Sequence, residues 1–502
     1  MLQLLGTPRR FCDGLTRRDW LQIGALGGLG LGLSDFFQLQ SASGRQPVDL
    51  GNRFGQAKAC ILLLPYGSPP QHETFDPKPD APVEVRGEFK AISTVLPGVQ
   101  IDEHLPRIAK LMDRLTVVRS MTHPFPAHST AYVVSGIPDY TPDLESRPRD
   151  PRHYPYIGSV VDYVLRRREE TVAEVPRNIA LPWKMNSRGG PKAAAVQAGP
   201  YAAFLGSTYD PVLTEFGGKG SQAVERYDGA NGPLHHVYDP FVGIEPEGRF
   251  NLAGAKLMPD MTLNRMNSRR DLLGQLNDVW RKVDSASATG QIGHFQQMAM
   301  AMLTDPKLHQ ALNVQSEPSS MRDNYGMNLF GQSCLLARRL VEAGSRFITV
   351  FWDEYEFLNT GWDTHWNHYS RLKDQLLPGF DAGFSGLVQD LDERGMLDET
   401  LVVWMSEHGR TPTISDVRGA GRDHWSRAYS IALAGGGVGR GQVIGESDRV
   451  GGDVISNPVS PKDILATILH LLGIDPHIML PDQLGRPHSV VGHGQVRREL
   501  LG

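Results

Sequence analysis

The sequence predicts an α/β fold in which helices cover both faces of a mostly parallel central sheet. Two observations predict it. Apolar runs of strand length alternate with segments of helical periodicity along the chain, and several of the runs are apolar throughout, as in strands buried on both faces. No Ser- or Gly-rich linker divides the chain, so a single domain with insertions is expected over residues 44–502.

The first predicted elements follow from apolar runs and turn residues. Residues 58–66 form an apolar run that ends in Gly-Ser-Pro-Pro, the pattern of a buried strand that leads into a loop. Apolar residues at helical spacing predict a helix over 102–114, and a strand follows at 115–119. A helix over 156–168 and a short strand over 178–181 continue the alternation.

The region from about 185 to 260 is rich in Gly and Pro and is predicted to be irregular. Helical patterns at 263–283 and 291–303 follow it, so an insertion that covers a site is expected at about 185–325. The core pattern then resumes with a helix over 329–343, a strand over 346–352, a helix over 372–394, strands over 400–405 and 429–434, and a helix over 461–472 that has Pro461 in its first turn.

The first residues of the chain have the pattern of a twin-arginine export signal. Arg17 and Arg18 precede a Gly-rich apolar run over 21–33, which is shorter than the roughly 20 residues that span a bilayer. Small residues at 41–43 then offer a cleavage site. Residues 1–43 are therefore excluded from the fold, and a periplasmic or extracellular protein is expected. The alternative is an N-terminal amphipathic helix with an incidental arginine pair.

Composition excludes two classes of partner. The formal net charge of −5 gives no basic surface, so no nucleic-acid partner is expected. No later segment is long and apolar enough for an integral membrane helix in the mature chain. Cys60 and Cys334 lie in a strand pattern and a helix pattern, which predicts two buried free thiols and a fold without disulfides.

Three polar clusters fall in loops around the last predicted strands. The first contains Asp363 and His365, the second contains Glu407 and His408 directly after the strand over 400–405, and the third contains His424. Mixtures of carboxylate and imidazole suit zinc or manganese better than calcium. Each cluster alone is more typical of a helix cap with a hydrogen-bonded histidine, but loops at strand ends can converge on one site.

The order of these clusters resembles the metal site of the alkaline phosphatase superfamily. That site takes an aspartate and a histidine before a helix, an acidic residue and a histidine after the next strand, and one further histidine. The matching residues are Asp363, His365 or His368, Glu407, His408 and His424. The resemblance implies an alkaline phosphatase-like sandwich that binds one or two divalent metal ions, with zinc or manganese favoured over calcium.

Several motifs are more closely similar to an uncharacterised family of twin-arginine-exported, sulfatase-like proteins. The similarity covers nearly the whole mature chain. The segments that carry it are 72–78, 119–123, 362–365, 407–412, 421–425, 434–437 and the Gly485-Arg486-Pro487-His488 sequence. The superfamily usually has a metal-binding aspartate after the first strand, where this chain has Tyr66 and Gly67. Glu73 is the candidate ligand for a second ion at that end.

The superfamily also places a nucleophile at the start of a helix after the second strand. Residues 125–128 and 134–136 look like the nucleotide pyrophosphatase branch, but Pro124 stands where its nucleophilic threonine would be. Candidates for the nucleophile are Thr122, Ser129 and Thr130, and the alternative is a proline-rich turn that caps a helix. His123 and His128 are candidate ligands or acid–base groups. Cys334 lacks the surroundings of a formylglycine precursor, so a formylglycine sulfatase is not expected.

The resemblance implies a metal-dependent hydrolase of phosphate or sulfate esters, with an anionic ester or a sulfated or phosphorylated glycan as substrate. Arg410 or Arg422 is a candidate oxyanion clamp, unless each pairs with neighbouring Glu407 or Asp423. The rival expectation is a non-catalytic exported protein, a surface or carbohydrate-associated module that keeps the fold and a partial metal site.

Overall fold

A large central sheet dominates the structure, which is a computed structural model. The residues it describes are 53–139, 141–145, 147–148, 150, 152–168, 175–189, 199–253, 305–357 and 360–502. The predicted export signal and the helices predicted at 263–283 and 291–303 lie outside the described residues. The predicted domain boundary and part of the insertion are therefore still predictions.

The central sheet has nine strands among the described residues. In chain order they are β1 Ala59–Pro65, β2 Leu115–Met121, β3 Asn178–Leu181, β4 Val212–Gly217, β5 Arg249–Leu252, β6 Phe347–Trp352, β7 Thr400–Trp404, β8 Tyr429–Ala434 and β9 Gln442–Ile444. Their order across the sheet is β9-β2-β8-β7-β1-β6-β3-β4-β5. Strands β8 and β5 run antiparallel to their neighbours, whereas every other adjacent pair is parallel. The predicted mostly parallel sheet is confirmed.

Eleven α-helices are described around this sheet. They are α1 Val83–Arg86, α2 Pro106–Ala109, α3 Thr130–Val134, α4 Pro142–Glu145, α5 Ile157–Arg168, α6 Pro306–Leu312, α7 Ser319–Tyr325, α8 Leu329–Glu342, α9 His368–Arg371, α10 Leu377–Glu393 and α11 Pro461–Leu471. The starts of α8 and α11 have the side-chain caps that helix ends require. Asn328 accepts from the Gly331 amide, and Ser460 forms a capping box with Asp463.

Side chains of β1 alternate between two cores. Ile61 and Leu63 pack in one core with residues of α8 and α10, and Cys60 and Leu62 pack in the other core with residues of α5 and α11. This alternation follows from the period of a strand, in which successive side chains point to opposite faces. Burying each leucine contributes about 1.5–3 kcal/mol. Helices thus cover both faces of the sheet, and the predicted fold class is confirmed.

Two predicted helices are broken in the structure. The segment 102–114 contains α2 and a 3-10 turn over Met112–Arg114, with Pro106 as the first residue of α2. The segment 372–394 begins with a π-helical turn over Leu372–Leu376 before α10. Pro378 in α10 has no amide hydrogen to donate to the preceding turn, which is a common reason for such an irregularity.

The prediction of irregular structure over 185–260 is wrong for part of that region. Strands β4 and β5 extend the central sheet there, and Val224–Tyr227 pairs with Leu234–Val237 in a separate ribbon. In β5 only Phe250 and Leu252 are buried, so the strand has one face in the core. In the sheet, β4 pairs with β3 and β5 pairs with β4, and local composition does not reveal such contacts between separate segments.

Four further two-stranded ribbons lie outside the central sheet in the described part of the chain. They pair Ala91–Ser93 with Gln100–Asp102, Gly409–Arg410 with His424–Trp425, Glu446–Ser447 with Val454–Ser456, and Met479–Pro481 with Pro487–Ser489. The second ribbon places Arg410 opposite His424, and so joins the second and third polar clusters.

Two smaller predictions concern cysteines and membrane spans. Cys60 and Cys334 are free and buried, as predicted. Within the described ranges, none of the helices has the length and hydropathy that crossing a membrane requires.

Candidate metal centre

The polar clusters meet at one edge of the central sheet. Strands β1, β2, β6 and β7 run in the same direction and end at this edge, and β8 runs the opposite way and begins there. Loops at the carboxyl ends of parallel strands are the usual location of sites in such folds. The loop after β2 brings His128, the loop after β6 brings Asp363 and His365, and the segments between β7 and β8 bring His408 and His424.

Three imidazole rings surround the buried carboxylate of Asp363. Its Oδ1 lies 3.0 Å from Nε2 of His365 and 3.3 Å from Nε2 of His424. Its Oδ2 lies 3.3 Å from Nε2 of His128. The predicted residues Asp363, His365 and His424 are therefore brought together, and His128, which was a candidate ligand or acid–base group, joins them.

His408 presents a nitrogen with no hydrogen-bond partner. Its Nδ1 lies 2.7 Å from the Gly409 carbonyl oxygen, and because a carbonyl only accepts, Nδ1 carries the proton. The lone pair is then on Nε2, which is buried and has no partner. Burial, together with the positive charges of His424 and His128, holds the pKa of His408 well below its usual value. A neutral imidazole with a free lone pair is the form that binds a metal.

Two groups of side chains among the described residues have the geometry to hold a metal ion. One consists of His128, His408 and His424, and the other of Asp363, His365 and His424. Within each group the ligand atoms all lie within 4.8 Å of one another. The unpartnered Nε2 of His408 is the observation that fits the first group to a metal, because a buried polar atom is costly without a partner.

Glu407 lies next to these groups but directs its oxygens to hydrogen-bond donors. Its Oε1 accepts from the Gly67 amide at 2.9 Å and lies 2.8 Å from Nδ1 of His128, and its Oε2 accepts from the Ser406 hydroxyl at 2.5 Å. Burial works to raise the pKa of Glu407, but the hydrogen bond from His128 and the other donors keep it below its usual value. In this arrangement Glu407 orients His128.

His128 lies between two carboxylates. Its Nδ1 contacts Glu407 and its Nε2 contacts Asp363, so both ring nitrogens face acceptors. Burial lowers the pKa of His128, but the two carboxylates outweigh burial and raise it to about 10, so a metal that binds Nε2 must displace a proton from this ring. The ring also packs against the Tyr66 ring, with 5.0 Å between the centroids.

Arg410 is fully buried and its guanidinium is engaged on every side. Nε donates to the Ser68 carbonyl at 3.0 Å, Nη1 donates to the Arg422 carbonyl at 3.1 Å, and Nη2 donates to the Gly67 carbonyl and to Asp363. The acidic partner is Asp363, whereas the sequence suggested Glu407. The arrangement fits the pairing alternative better than an oxyanion clamp.

Glu73 lies outside both three-residue groups. Its Oε1 accepts from Nη2 of Arg422 at 2.6 Å, and its Oε2 is 3.4 Å from Nε2 of His368. Burial works to raise the pKa of Glu73, and the charge of Arg422 keeps it low. Arg422 thus pairs with Glu73, where Glu407 or Asp423 was expected.

The segment after β2 carries the remaining candidates. His123 donates from Nε2 to the Glu407 carbonyl at 2.6 Å and accepts on Nδ1 from the Phe125 amide at 3.3 Å, so both ring nitrogens have structural partners. Burial lowers the pKa of His123 to about 4. Thr122 is partly buried, and its amide donates to the Val459 carbonyl. The hydroxyls of Ser129 and Thr130 are buried without a hydrogen-bond partner.

Sequence reasoning assigned no role to Tyr66, Gly67 and Ser406, although all three build the site. Gly67 has a φ of +100°, and a Cβ there would lie 2.3 Å from the Asp363 amide nitrogen. Only glycine allows the backbone after β1 to approach this closely. In the sequence, Gly-Ser-Pro-Pro after an apolar run indicates a turn at this position. It does not indicate which segment packs against that turn.

Comparison with solved structures finds proteins that are similar to this chain over most of its length. The PsFucS1 sulfatase from Pseudoalteromonas sp. shares 13% identity with a TM-score of 0.36, covering 90% of this chain and 72% of that one. The lipoteichoic acid synthase LtaP from Listeria monocytogenes shares 11% identity with a TM-score of 0.32, covering 91% and 80%. At such low sequence identity and TM-score, these similarities carry no information about the activity of this chain.

Comparison with curated protein sequences finds no match. A protein-family model does match, over residues 57–501, which is nearly all of the described chain. The chain therefore belongs to the family described as "Protein of unknown function (DUF1501)".

Proposed function

We propose that this protein is a metal-dependent hydrolase of phosphate or sulfate esters that acts outside the cytoplasm. The proposal rests on one observation above all: His408, whose Nε2 is buried and unpartnered, groups with His128 and His424 at the carboxyl edge of the sheet. Export by the twin-arginine route is proposed from residues 1–43 alone.

The donor atoms support zinc or manganese over calcium. Four of the five side chains in the two groups are imidazoles, and imidazole nitrogen suits zinc, whereas calcium takes oxygen ligands. His424 belongs to both groups, so one ion, or two ions that share this residue, would be held. A divalent ion there would supply positive charge to the anionic oxygens of an ester.

The protein's own residues orient the ligands. Glu407 accepts from Nδ1 of His128 and so aims Nε2 of that ring toward Asp363. The Gly409 carbonyl fixes the tautomer of His408 in the same way. Such outer hydrogen bonds set the direction and basicity of a histidine ligand. Arg410 holds the Asp363 loop against the turn after β1.

Three hydroxyls are the candidates for a nucleophile: Thr122, Ser129 and Thr130. Ser129 and Thr130 are favoured because they follow His128 directly and their hydroxyls are buried without partners. We propose an anionic ester, carried by a small molecule or a sulfated or phosphorylated glycan, as substrate. Alanine replacement of each hydroxyl separates a side-chain nucleophile, whose loss abolishes turnover, from an activated water, for which all three variants stay active.

The test combines metal analysis with an ester panel. The purified wild-type protein should contain zinc or manganese and should hydrolyse at least one aryl phosphate or aryl sulfate. The variant His408→Ala should lose both the metal and the activity. The variant His236→Ala removes an exposed histidine outside the cluster and should lose neither. Wild-type protein without bound metal, and without hydrolysis after zinc or manganese is added, would overturn the proposal.

A non-catalytic function is the second candidate. It is favoured by Tyr66, which stands where the superfamily has a metal-binding aspartate, and by Arg410, whose guanidinium is already engaged. In that case His408→Ala would release a metal that the wild type holds, yet neither protein would hydrolyse any ester in the panel. The same experiment therefore distinguishes the two functions.

A further inference from the structure

The metal centre leaves the Gly485-Arg486-Pro487-His488 sequence without a role. This sequence lies in the ribbon of Met479–Pro481 and Pro487–Ser489. Asp482 fixes the turn between the two strands, because its carboxylate accepts from the Leu484 amide at 2.8 Å and from the Arg486 amide at 2.9 Å. The same carboxylate lies 3.1 Å from Nε2 of His488. The turn is thus organised around the carboxylate of Asp482, which accepts from two backbone amides and contacts His488.

His488 packs in a cluster of three aromatic rings with Tyr154 and Phe204. The hydroxyl of Tyr154 lies 2.9 Å from Nδ1 of His488, and the two ring centroids are 5.0 Å apart. The Phe204 ring packs against both, with centroids 5.9 Å from Tyr154 and 5.3 Å from His488. Because Asp482 accepts from Nε2 of His488, the lone pair on Nδ1 receives the Tyr154 proton. The hydrogen bonds and ring contacts hold the three rings in fixed positions.

A pocket of about 360 Å³ opens beside these rings. Apolar faces come from Tyr201, Phe204 and Leu484, and polar groups come from Gln483 and Arg486, with Asp482 at the base of the turn. This volume is within the range of small-molecule sites, which combine aromatic walls with a few fixed polar groups. The guanidinium of Arg486 is held by Asp482 at 2.7 Å while 67% of the side chain is exposed.

We propose that this pocket is a binding site for a saccharide. A sugar ring has apolar C–H faces that pack on aromatic rings, and hydroxyl groups that accept from Arg486 or pair with Gln483. Charge argues against a highly charged ligand, because the wall pairs its own charges: Arg486 with Asp482, and Asp150 with Arg152 outside the pocket.

The ribbon beside the pocket also packs against the segment that carries His128. A Cβ on Gly136, two residues after α3, would lie 2.5 Å from the Val490 carbonyl carbon and 2.6 Å from the Ser489 carbonyl oxygen. The strand that holds His488 therefore packs directly on the backbone that follows α3. The saccharide site is proposed independently of the metal centre, and its occupancy does not require a metal.

The test is binding of three neutral disaccharides, cellobiose, lactose and xylobiose, measured by saturation-transfer NMR and calorimetry. The full-length wild-type protein should bind at least one of them. Phe204→Leu keeps an apolar side chain but removes the aromatic face, and Arg486→Gln removes the guanidinium. Each change should weaken binding by about tenfold. Arg440→Gln, which alters an exposed arginine paired with Asp398, should leave binding unchanged.

The variant His408→Ala separates this proposal from the proposed hydrolase. It should bind the disaccharide as the wild type does, even where metal and activity are lost. Absence of binding by the wild type to all three disaccharides would overturn the saccharide site. Binding that survives both Phe204→Leu and Arg486→Gln in folded protein, or that disappears in His408→Ala, would also overturn it.

Discussion

Nδ1 of His128 lies 2.8 Å from Oε1 of Glu407, although the two residues are 279 positions apart in the chain. Glu407 thus orients the ring of His128, which is a candidate metal ligand. We predict that Glu407→Gln keeps the fold but weakens zinc affinity by about 10–100-fold, because the amide supports the basicity of His128 less well. Competition with a chelator of known affinity measures this change.

A matched control for Glu407→Gln is Glu399→Gln. Glu399 is about half exposed and pairs with Lys58 at the surface, so its variant should bind zinc like the wild type. If Glu407→Gln binds zinc with unchanged affinity while remaining folded, Glu407 does not orient the ligand. A complete loss of zinc would instead favour the predicted role of Glu407 as a direct ligand.

Arg410 is predicted to stabilise the fold rather than to bind substrate. The variant Arg410→Met leaves the buried Asp363 carboxylate without its cation and the Gly67 and Ser68 carbonyls without a donor. Breaking a buried ion pair in this way costs about 3–5 kcal/mol. Denaturant unfolding of the variant should show a loss of this size.

The control for Arg410→Met is Arg440→Met, which removes a guanidinium that is 46% exposed. Exposed ion pairs contribute about 0–1 kcal/mol, so this variant should unfold almost like the wild type. An Arg410→Met protein of wild-type stability that has lost only turnover would support the oxyanion clamp predicted from the sequence.

The fold could be predicted from the sequence wherever strands are apolar throughout. The strand at 178–181 has the predicted bounds, and helix α11 begins at Pro461, the proline that the sequence placed in its first turn. Strands β4 and β5 were not predicted, because β5 has only two buried side chains and β4 pairs with β3, which lies outside the Gly- and Pro-rich region. Their pairing depends on tertiary contacts that local propensity does not encode.

The candidate site was partly predictable for the same reason. Residues in loops at one edge of a parallel sheet converge, and Asp363, His365 and His424 lie within contact distance of one another. The sequence did not predict which hydrogen-bond donor each buried carboxylate faces. The pairing of Glu73 with Arg422 and of Asp363 with Arg410 depends on side-chain directions that become fixed only when the turn after β1 packs.

Gly67 is predicted to tolerate no side chain. Its φ of +100° is unfavourable for other residues, and the Cβ of Gly67→Ala would lie 2.3 Å from the Asp363 backbone nitrogen. The added Cβ is bonded directly to the backbone after β1, and the nitrogen that it would meet belongs to the backbone of the Asp363 loop. The clash could therefore be relieved only by displacing that loop. We expect insoluble protein or a loss of stability above about 3 kcal/mol.

Gly98 provides the matched control for Gly67. It also has a positive φ, of +77°, but a Cβ there would meet no atom within 4 Å. Gly98→Ala therefore bears the conformational cost alone, about 1 kcal/mol. The melting temperatures of the two variants separate the cost of the steric clash from the cost of the positive φ. Equal losses would show that the close approach at Gly67 is unimportant.

Glu145 is predicted to make stability depend on pH. It is buried in α4 and accepts from the Ala131 amide at 3.3 Å. Burial, reinforced by the charge of Glu407, raises its pKa from 4.5 to about 8. The folded protein therefore holds this proton more tightly than the unfolded chain does. Its contribution to stability is complete below about pH 4.5 and is lost progressively as the pH rises to about 8.

Glu145→Gln tests this pH dependence, because glutamine can accept from the Ala131 amide but cannot ionise. Relative to the wild type, the variant should gain stability as the pH increases from about 5 to about 8, whereas the two should differ least at the acidic end. Denaturant unfolding across this range measures the difference in slope. Glu215→Gln, at an exposed position of β4, should leave the slope unchanged. Parallel pH profiles for Glu145→Gln and the wild type would mean that Glu145 is already ionised in the folded protein at neutral pH.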